Sequence, residues 1–374
     1  MSTTKDEQLK RTFASEFGRR AAVQVSVPGR VNLIGEHIDY TGGTVLPTPI
    51  PGRLRLLFTA GGTTVTVRSQ RFAEPVEREL EEAIDGHWSD YLLAGHRKAI
   101  AVGLLPPGTG GEYLIDSEIP DGAGVSSSAA LLVALLRAAA ETTARTTPPE
   151  QLARWAQEVE TQDIGMPCGI MDQMAVAAGE PGFAMALNTR TLAYRQVPLP
   201  TGYAFPVLHS GLKRQLADGA YKARRDACAE AAEALGLASI EDLSTVDDDG
   251  LARAAALPDP IARRARHAIT EHRRVLRAIE TLANGDVQSF GALMNESHRS
   301  MRDDFEIVPK AMDEMTEHAC RSGAFGSRLT GGGFGGCFVS CVPSERLGAW
   351  LVAMRTAFPD TWVVTEGLIA PEEH

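Results

Sequence analysis

Arg30, Glu36, His37 and Asp39 fall within ten residues of one another, between an apolar run at residues 23–27 and the pair Gly42-Gly43. The apolar run reads as a core strand and the two glycines as a turn. Burying so many charged and hydrogen-bonding groups beside a core strand is costly if they have no partners, because each loses its hydration. They fit the wall of a pocket for a small molecule rich in hydroxyls. The rest of the chain must therefore fold so as to leave room for that molecule.

At 374 residues the chain suffices for one large or two ordinary domains. With 44% hydrophobic and 23% charged residues it can fill a sizeable core. The formal net charge of −11 gives no general attraction to nucleic acid or to an anionic membrane. A polyanion would have to be held at a local site. The cysteines are Cys168, Cys228, Cys320, Cys337 and Cys341, odd in number and without CxxC spacing. A disulfide framework or structural zinc site is not expected, and a cytoplasmic setting fits. The first ten residues are polar, and the longest apolar run, 129–136, is far too short to cross a bilayer.

Leu9, Phe13 and Phe17 recur every four residues, which predicts an amphipathic helix. Strands are expected at 23–27, 54–58, 64–67 and 113–115, with a helix at 88–101. An alanine- and leucine-rich helix is expected at 128–142, and another at 149–162 that opens with proline and an early glutamate. Proline and glycine crowd residues 198–202, the expected boundary between domains 1–197 and 198–374. Beyond it, helical patterns cover 220–235 and 260–282. The charged run Arg263, Arg264, Arg266, Arg273 and Arg274 is expected to be a solvated helix face. A final helix at 347–358 precedes a strand at 362–364.

Three further segments carry chemistry. Residues 120–130 read Pro-Asp-Gly-Ala-Gly-Val-Ser-Ser-Ser-Ala-Ala. Gly122 and Gly124 free the backbone, and Ser126, Ser127 and Ser128 supply hydroxyls. The following helix adds unpaired N–H groups and a positive dipole end, a cradle for phosphate. The same residues also suit a plain turn with serine caps. Asp172 stands in the apolar, glycine-flanked stretch 165–173, where a carboxylate accepts a proton, holds a metal or caps a helix. Glu160, late in its helix, reads by itself as a solvated residue. Residues 331–336 place five glycines in six positions between strand-like runs, which lets backbone approach a ligand closely.

Taken together, these segments resemble the GHMP superfamily of small-molecule kinases. Within it, residues 29–40, residues 168–173, and Tyr221 followed by Arg224-Arg225 resemble the galactokinases. The resemblance continues through residues 296–304 to the last glycine loop and so covers nearly the whole chain. It implies an α+β, two-domain GHMP kinase fold with the active site in the cleft between domains. It also implies ATP-dependent phosphorylation of a sugar at its anomeric hydroxyl. Asp172 would take or orient the hydroxyl proton. Arg30 would hold Asp172 ionised and stabilise charge on the transferring phosphoryl group. Ser128 and Glu160 match the magnesium ligands, a donor set that suits a hard cation. Gly122, Gly124, Ser126 and Ser127 would cradle the ATP phosphates, with Trp88 near the adenine or in the core. Glu36, His37, Asp39 and Tyr221 would read the sugar hydroxyls, and the 331–336 loop, with Gly332 and Gly333, would close over them. His267 and His298 read as structural.

The chain departs from the galactokinase pattern at Ile38, Thr161, Asn188 and residues 208–214. These changes leave open a related sugar such as N-acetylgalactosamine, galacturonate or arabinose. A non-catalytic sugar and ATP sensor is the rival of another class. Such sensors have lost residues from the Ser-Ser-Ser-Ala-Ala segment, which is complete here at 126–130. Mevalonate and homoserine kinases lack the Glu-His-x-Asp group. A metal site made of Glu36, His37 and Asp39 is disfavoured, since adjacent side chains diverge on a strand.

Overall fold

The computed structural model describes residues 2–72, 74–212 and 217–368. Three sheets organise it. The first runs in the order Val23–Asn32, Pro47–Ala60, Gly111–Ser117, Thr64–Ser69, Val76–Glu79. All its pairings are antiparallel except that of Thr64–Ser69 with Gly111–Ser117. A second sheet joins Thr44–Val45, Phe183–Asn188 and Tyr194–Pro198. The third runs Gly326–Thr330, Cys337–Pro343, Val207–His209, Trp362–Thr365, with Tyr203–Ala204 also on Cys337–Pro343.

The helix Ser127–Thr142 lies against the first sheet. Its alanines let it approach closely on nearly every side, and Leu132, Val133, Leu135 and Leu136 are fully buried. Each such side chain contributes roughly 1.5–3 kcal/mol by leaving water. The helix Ser2–Phe17 packs Leu9 and Phe13 on Leu57 and Leu114, a small second core on the sheet's other face. The expected four-residue spacing is thus met.

Three expectations are corrected. The helix expected at 149–162 is α-helical only over Pro149–Glu158 and widens into a π-helical turn at Val159–Asp163. That turn buries Glu160 instead of leaving it solvated. The arginine run is not a uniformly solvated face. Arg264 and Arg274 are buried: Glu306, in the loop after the helix Val287–Asp303, reaches the first, and Glu271, three residues earlier on the same helix Ile261–Ala283, reaches the second. Residues 33–43 are turns, not strand, and His37 adopts a φ of 59°. Four described α-helices, Met171–Ala178, Asp248–Ala255, Val287–Asp303 and Lys310–Arg321, lie outside the expected ones. His267 and His298 are buried and hydrogen-bonded, to Ser300 and the Glu36 carbonyl and to Thr316 and the Leu329 amide respectively. No described helix is long and apolar enough to cross a membrane.

Candidate active site

The register of Val23–Asn32 against Pro47–Ala60 shifts between Pro28 and Arg30. At this irregularity the 120–130 loop comes alongside, and the Arg30 amide donates to the Val125 carbonyl at 3.2 Å. A Cβ on Gly29 would stand 2.7 Å from that same oxygen, so the approach requires glycine. The Arg30 side chain is buried and reaches Asp172 on the helix Met171–Ala178. Its Nε and Nη2 donate to the carboxylate at 2.8 and 2.6 Å, and Nη1 donates to the Gly124 carbonyl at 2.6 Å. Forked, charge-assisted bonds of this kind fix geometry as well as charge.

Ser126 completes the set. It precedes the helix Ser127–Thr142 in a left-handed conformation, φ 64° and ψ 44°, which a non-glycine residue rarely adopts. From there its hydroxyl donates to Asp172 at 2.7 Å. The Asp172 side chain keeps 30% exposure, so a face of the carboxylate stays open to the cavity beside it.

That cavity, of about 290 Å³, is lined by Arg30, Glu36, His37, Asp39, Gly122, Gly124, Ser126, Ser127, Ser128, Glu160, Asp172, Tyr221, Gly332 and Gly333. Every residue predicted from sequence is therefore brought together there except Trp88. Trp88 stacks on Phe72 with ring centroids 4.4 Å apart and does not line the cavity. Tyr91, three residues further on, does line it and was missed.

On one side of Asp172 stand Ser128 and Glu160. Burial, with Asp172 nearby, pushes the Glu160 carboxyl up to about 7, and a hydrogen bond from Ser128 opposes this. The Gln173 amide donates to Glu160 from behind. Its own Oε1 is buried without a hydrogen-bond partner. Among the described residues no group of three or more His, Cys, Asp or Glu could hold a metal. A cation at Ser128 and Glu160 would therefore need further oxygen ligands from phosphate or water, as a hard octahedral ion accepts.

On the other side, Asp39 is half-buried, and burial plus the Asp172 charge push it up to about 7. Gly169 leaves it room: a Cβ there would stand 2.0 Å from an Asp39 oxygen. His37 is buried, which pushes its pKa down to about 3, so the ring is neutral. Its Nε2 faces the Gly332 carbonyl at 3.3 Å and must donate, so Nδ1 accepts from the Tyr40 hydroxyl at 3.0 Å. With both nitrogens engaged, His37 is no metal ligand here. The Tyr221 ring packs on it at 4.9 Å.

The described departures from the galactokinase pattern, at Ile38, Thr161, Asn188 and residues 208–212, do not line this cavity. Ile38 is fully buried and packs on Gly43. Asn188 caps a turn by accepting from the amides of Arg190 and Thr191. Thr161 bonds the Gln157 carbonyl. His209 stacks on Trp362 and Ser210 bonds the Gly336 carbonyl. Lys213 and Arg214 lie outside the described residues.

Comparison with known proteins bears on this arrangement. Residues 11–59 match the galactokinase galactose-binding signature, residues 78–180 the GHMP kinase N-terminal domain and residues 278–359 the GHMP kinase C-terminal domain. The chain is 38% identical to a galactokinase of Chloroflexus aggregans over 360 residues, covering 92% of this chain and 90% of that one.

The chain belongs to the galactokinase family.

A galactokinase of Enterococcus faecalis is 35% identical, with 95% and 94% covered. The crystal structure of Lactococcus lactis galactokinase complexed with galactose superimposes with a TM-score of 0.88 at 28% identity, covering 98% of this chain and 99% of that one. The mevalonate kinase of Methanococcus jannaschii shares the fold, with a TM-score of 0.66 at 17% identity and 89% and 95% covered. Family membership makes the chain a phosphotransferase that uses ATP and a hydroxyl acceptor. The fold is the α+β GHMP kinase fold.

Proposed function

We propose that the chain transfers the γ-phosphoryl group of ATP to the anomeric hydroxyl of galactose. The observation that carries this is the Arg30–Asp172 fork, set between the serine-rich phosphate loop and the group Glu36, His37 and Asp39 in one cavity. Phosphate on Gly122, Gly124, Ser126 and Ser127 would lie at one end and the sugar at the other. Asp172 then orients the attacking hydroxyl and accepts its proton at a carboxylate oxygen. Arg30 faces the charge that spreads over the equatorial oxygens of a loose transition state.

Ser128 and Glu160 fit a magnesium ion arriving with ATP. Magnesium held there would neutralise phosphate charge during transfer. Asp39, Tyr221 and the Gly332–Gly333 backbone would enclose the sugar. His37, neutral and tied at both nitrogens, would shape the wall. Trp88 with Phe72 offers an aromatic surface for the adenine. The position of the described departures outside the cavity supports galactose over a related sugar.

We read the chain as two domains meeting near residue 198. Among the described residues no sheet mixes strands from before Pro198 with strands after it. Five free thiols suit the cytoplasm. The test is ADP release from magnesium-ATP with a panel of galactose, N-acetylgalactosamine, galacturonate and arabinose. Galactose should give the highest kcat/KM. Binding of sugar and ATP with no ADP release would favour the sensor reading.

A further inference from the structure

We infer that Arg328 is a positioning residue for sugar selection, acting through Glu36. This rests on the reading above that Glu36 faces the sugar. Arg328 lies on Gly326–Thr330, the strand that leads into the glycine loop, and is fully buried. Its guanidinium pairs with Glu36 through Nη2 and donates to the Asn32 carbonyl through Nη1 at 3.2 Å.

The surroundings of Glu36 are built, not incidental. One carboxylate oxygen accepts from Asn32 Nδ2 at 2.9 Å and from Arg328. The other accepts from the Gly331 amide at 2.9 Å and lies 3.1 Å from Thr330 Oγ1, whose one proton is shared with the Asn32 carbonyl at 2.9 Å. Three of these four donors belong to the strand and loop some 300 residues downstream. The peptide is clamped as well: the Gly35 amide donates to Glu271 at 3.0 Å, and His267 Nε2 donates to the Glu36 carbonyl at 3.1 Å.

A purely structural role does not account for this pair. A buried ion pair is commonly no better for stability than packed apolar side chains of similar volume. Here the cost is higher still, since Arg328 Nε is buried without a partner. Yet Glu36 lines the cavity with Gly331, Gly332 and Gly333. Two buried charges kept at that spot serve to hold the carboxylate at one angle. Arg328 sets that angle, because its planar fork spans the Glu36 carboxylate and the Asn32 carbonyl at once.

The test uses the full chain with Glu36→Gln, Arg328→Lys, Arg328→Met and the double variant Glu36→Gln/Arg328→Met. Thermal melts establish folding. Steady-state kinetics give KM for galactose and for ATP, and the ratio of kcat/KM for galactose to that for arabinose and for galacturonate. Arg328→Lys keeps the charge but loses the fork. It should raise the galactose KM about ten-fold, leave the ATP KM within about two-fold and lower the selectivity ratios. Glu36→Gln should do the same, and the double variant, which leaves no unpaired charge, should be no worse than Glu36→Gln alone. Should Arg328→Met fail to fold, the double variant and Arg328→Lys still decide.

An unchanged galactose KM in Arg328→Lys, with a raised one in Glu36→Gln, would overturn the inference while leaving the reading of Glu36 intact. Equal rises in sugar and ATP KM would mark Arg328 as structural and also overturn it. An unchanged KM and selectivity in Glu36→Gln would remove the reading of Glu36 and the inference with it.

Discussion

Arg30 Nε stands 2.8 Å from Asp172 Oδ1, across 142 positions of sequence, and the same guanidinium holds the Gly124 carbonyl of the phosphate loop. One side chain thus ties the acceptor end of the cavity to the donor end. Removing it should cost turnover far more than binding. Arg30→Ala is expected to lower kcat by about a thousand-fold or more, as losing an arginine from phosphoryl transfer does. Asp172→Asn should lower it at least about a hundred-fold. Both should keep the parent circular dichroism spectrum. Near-parent kcat in either would contradict the assigned roles.

Gln173 follows Asp172 on the same helix and holds Glu160 from behind. Groups that orient a metal ligand typically govern metal affinity by about 10–100-fold. Gln173→Leu should therefore raise the magnesium concentration for half-maximal rate by about ten-fold, with the fold retained. Manganese binding in the presence of ATP, followed by electron paramagnetic resonance, should weaken in parallel. Unchanged binding would show that Glu160 needs no support.

Asp39 gives a pH signature. Its carboxyl is raised from 3.8 to about 7 by burial and by Asp172. Between these values the native chain keeps a proton that the unfolded chain has lost. Its contribution to stability therefore falls as pH rises from about 4 to about 7. Asp39→Asn cannot ionise, so its gain in Tm over the parent should grow across that interval and level off above it, while sugar turnover collapses. Scanning fluorimetry from pH 5 to pH 8 reads this directly. An equal Tm difference at every pH would contradict it.

Gly29 has no space for a side chain beside the Val125 carbonyl. Gly29→Ala should push the phosphate loop outward, destabilise the chain by about 1–3 kcal/mol and raise the ATP KM more than the sugar KM. A chemical denaturation curve and the two KM values suffice to check it.

The site was largely legible in the sequence because its residues cluster in four short segments of unusual chemistry. Arg30, Asp172, Ser128 and the two glycine loops could each be singled out before their meeting in space was known, and Glu160 only through the resemblance to the galactokinases. What stayed hidden acts through burial. Glu160 reads as a solvated helix residue because a π-helical turn leaves no mark in an apolar period. Arg264 reads as solvated because its partner Glu306 stands 42 residues on, in a loop brought to it only by the fold, whereas Glu271 meets Arg274 from three residues earlier on the same helix, and it is the burial of that pair that the sequence does not show. Arg328 is one arginine before a glycine loop until Glu36 is found against it. Ile38 shows the converse: alarming within a polar signature, it faces the core and touches no ligand space.

The central claim is attack by the sugar's anomeric oxygen on the γ-phosphorus of ATP. Galactose carrying oxygen-18 in the C1 hydroxyl, incubated with magnesium-ATP and the protein, puts it to the test by phosphorus-31 NMR. The predicted result is one sugar phosphate signal, coupled to the anomeric proton and shifted by a bridging oxygen-18. A signal coupled to any other carbon's proton, an unlabelled bridge, or no sugar phosphate at all would contradict it.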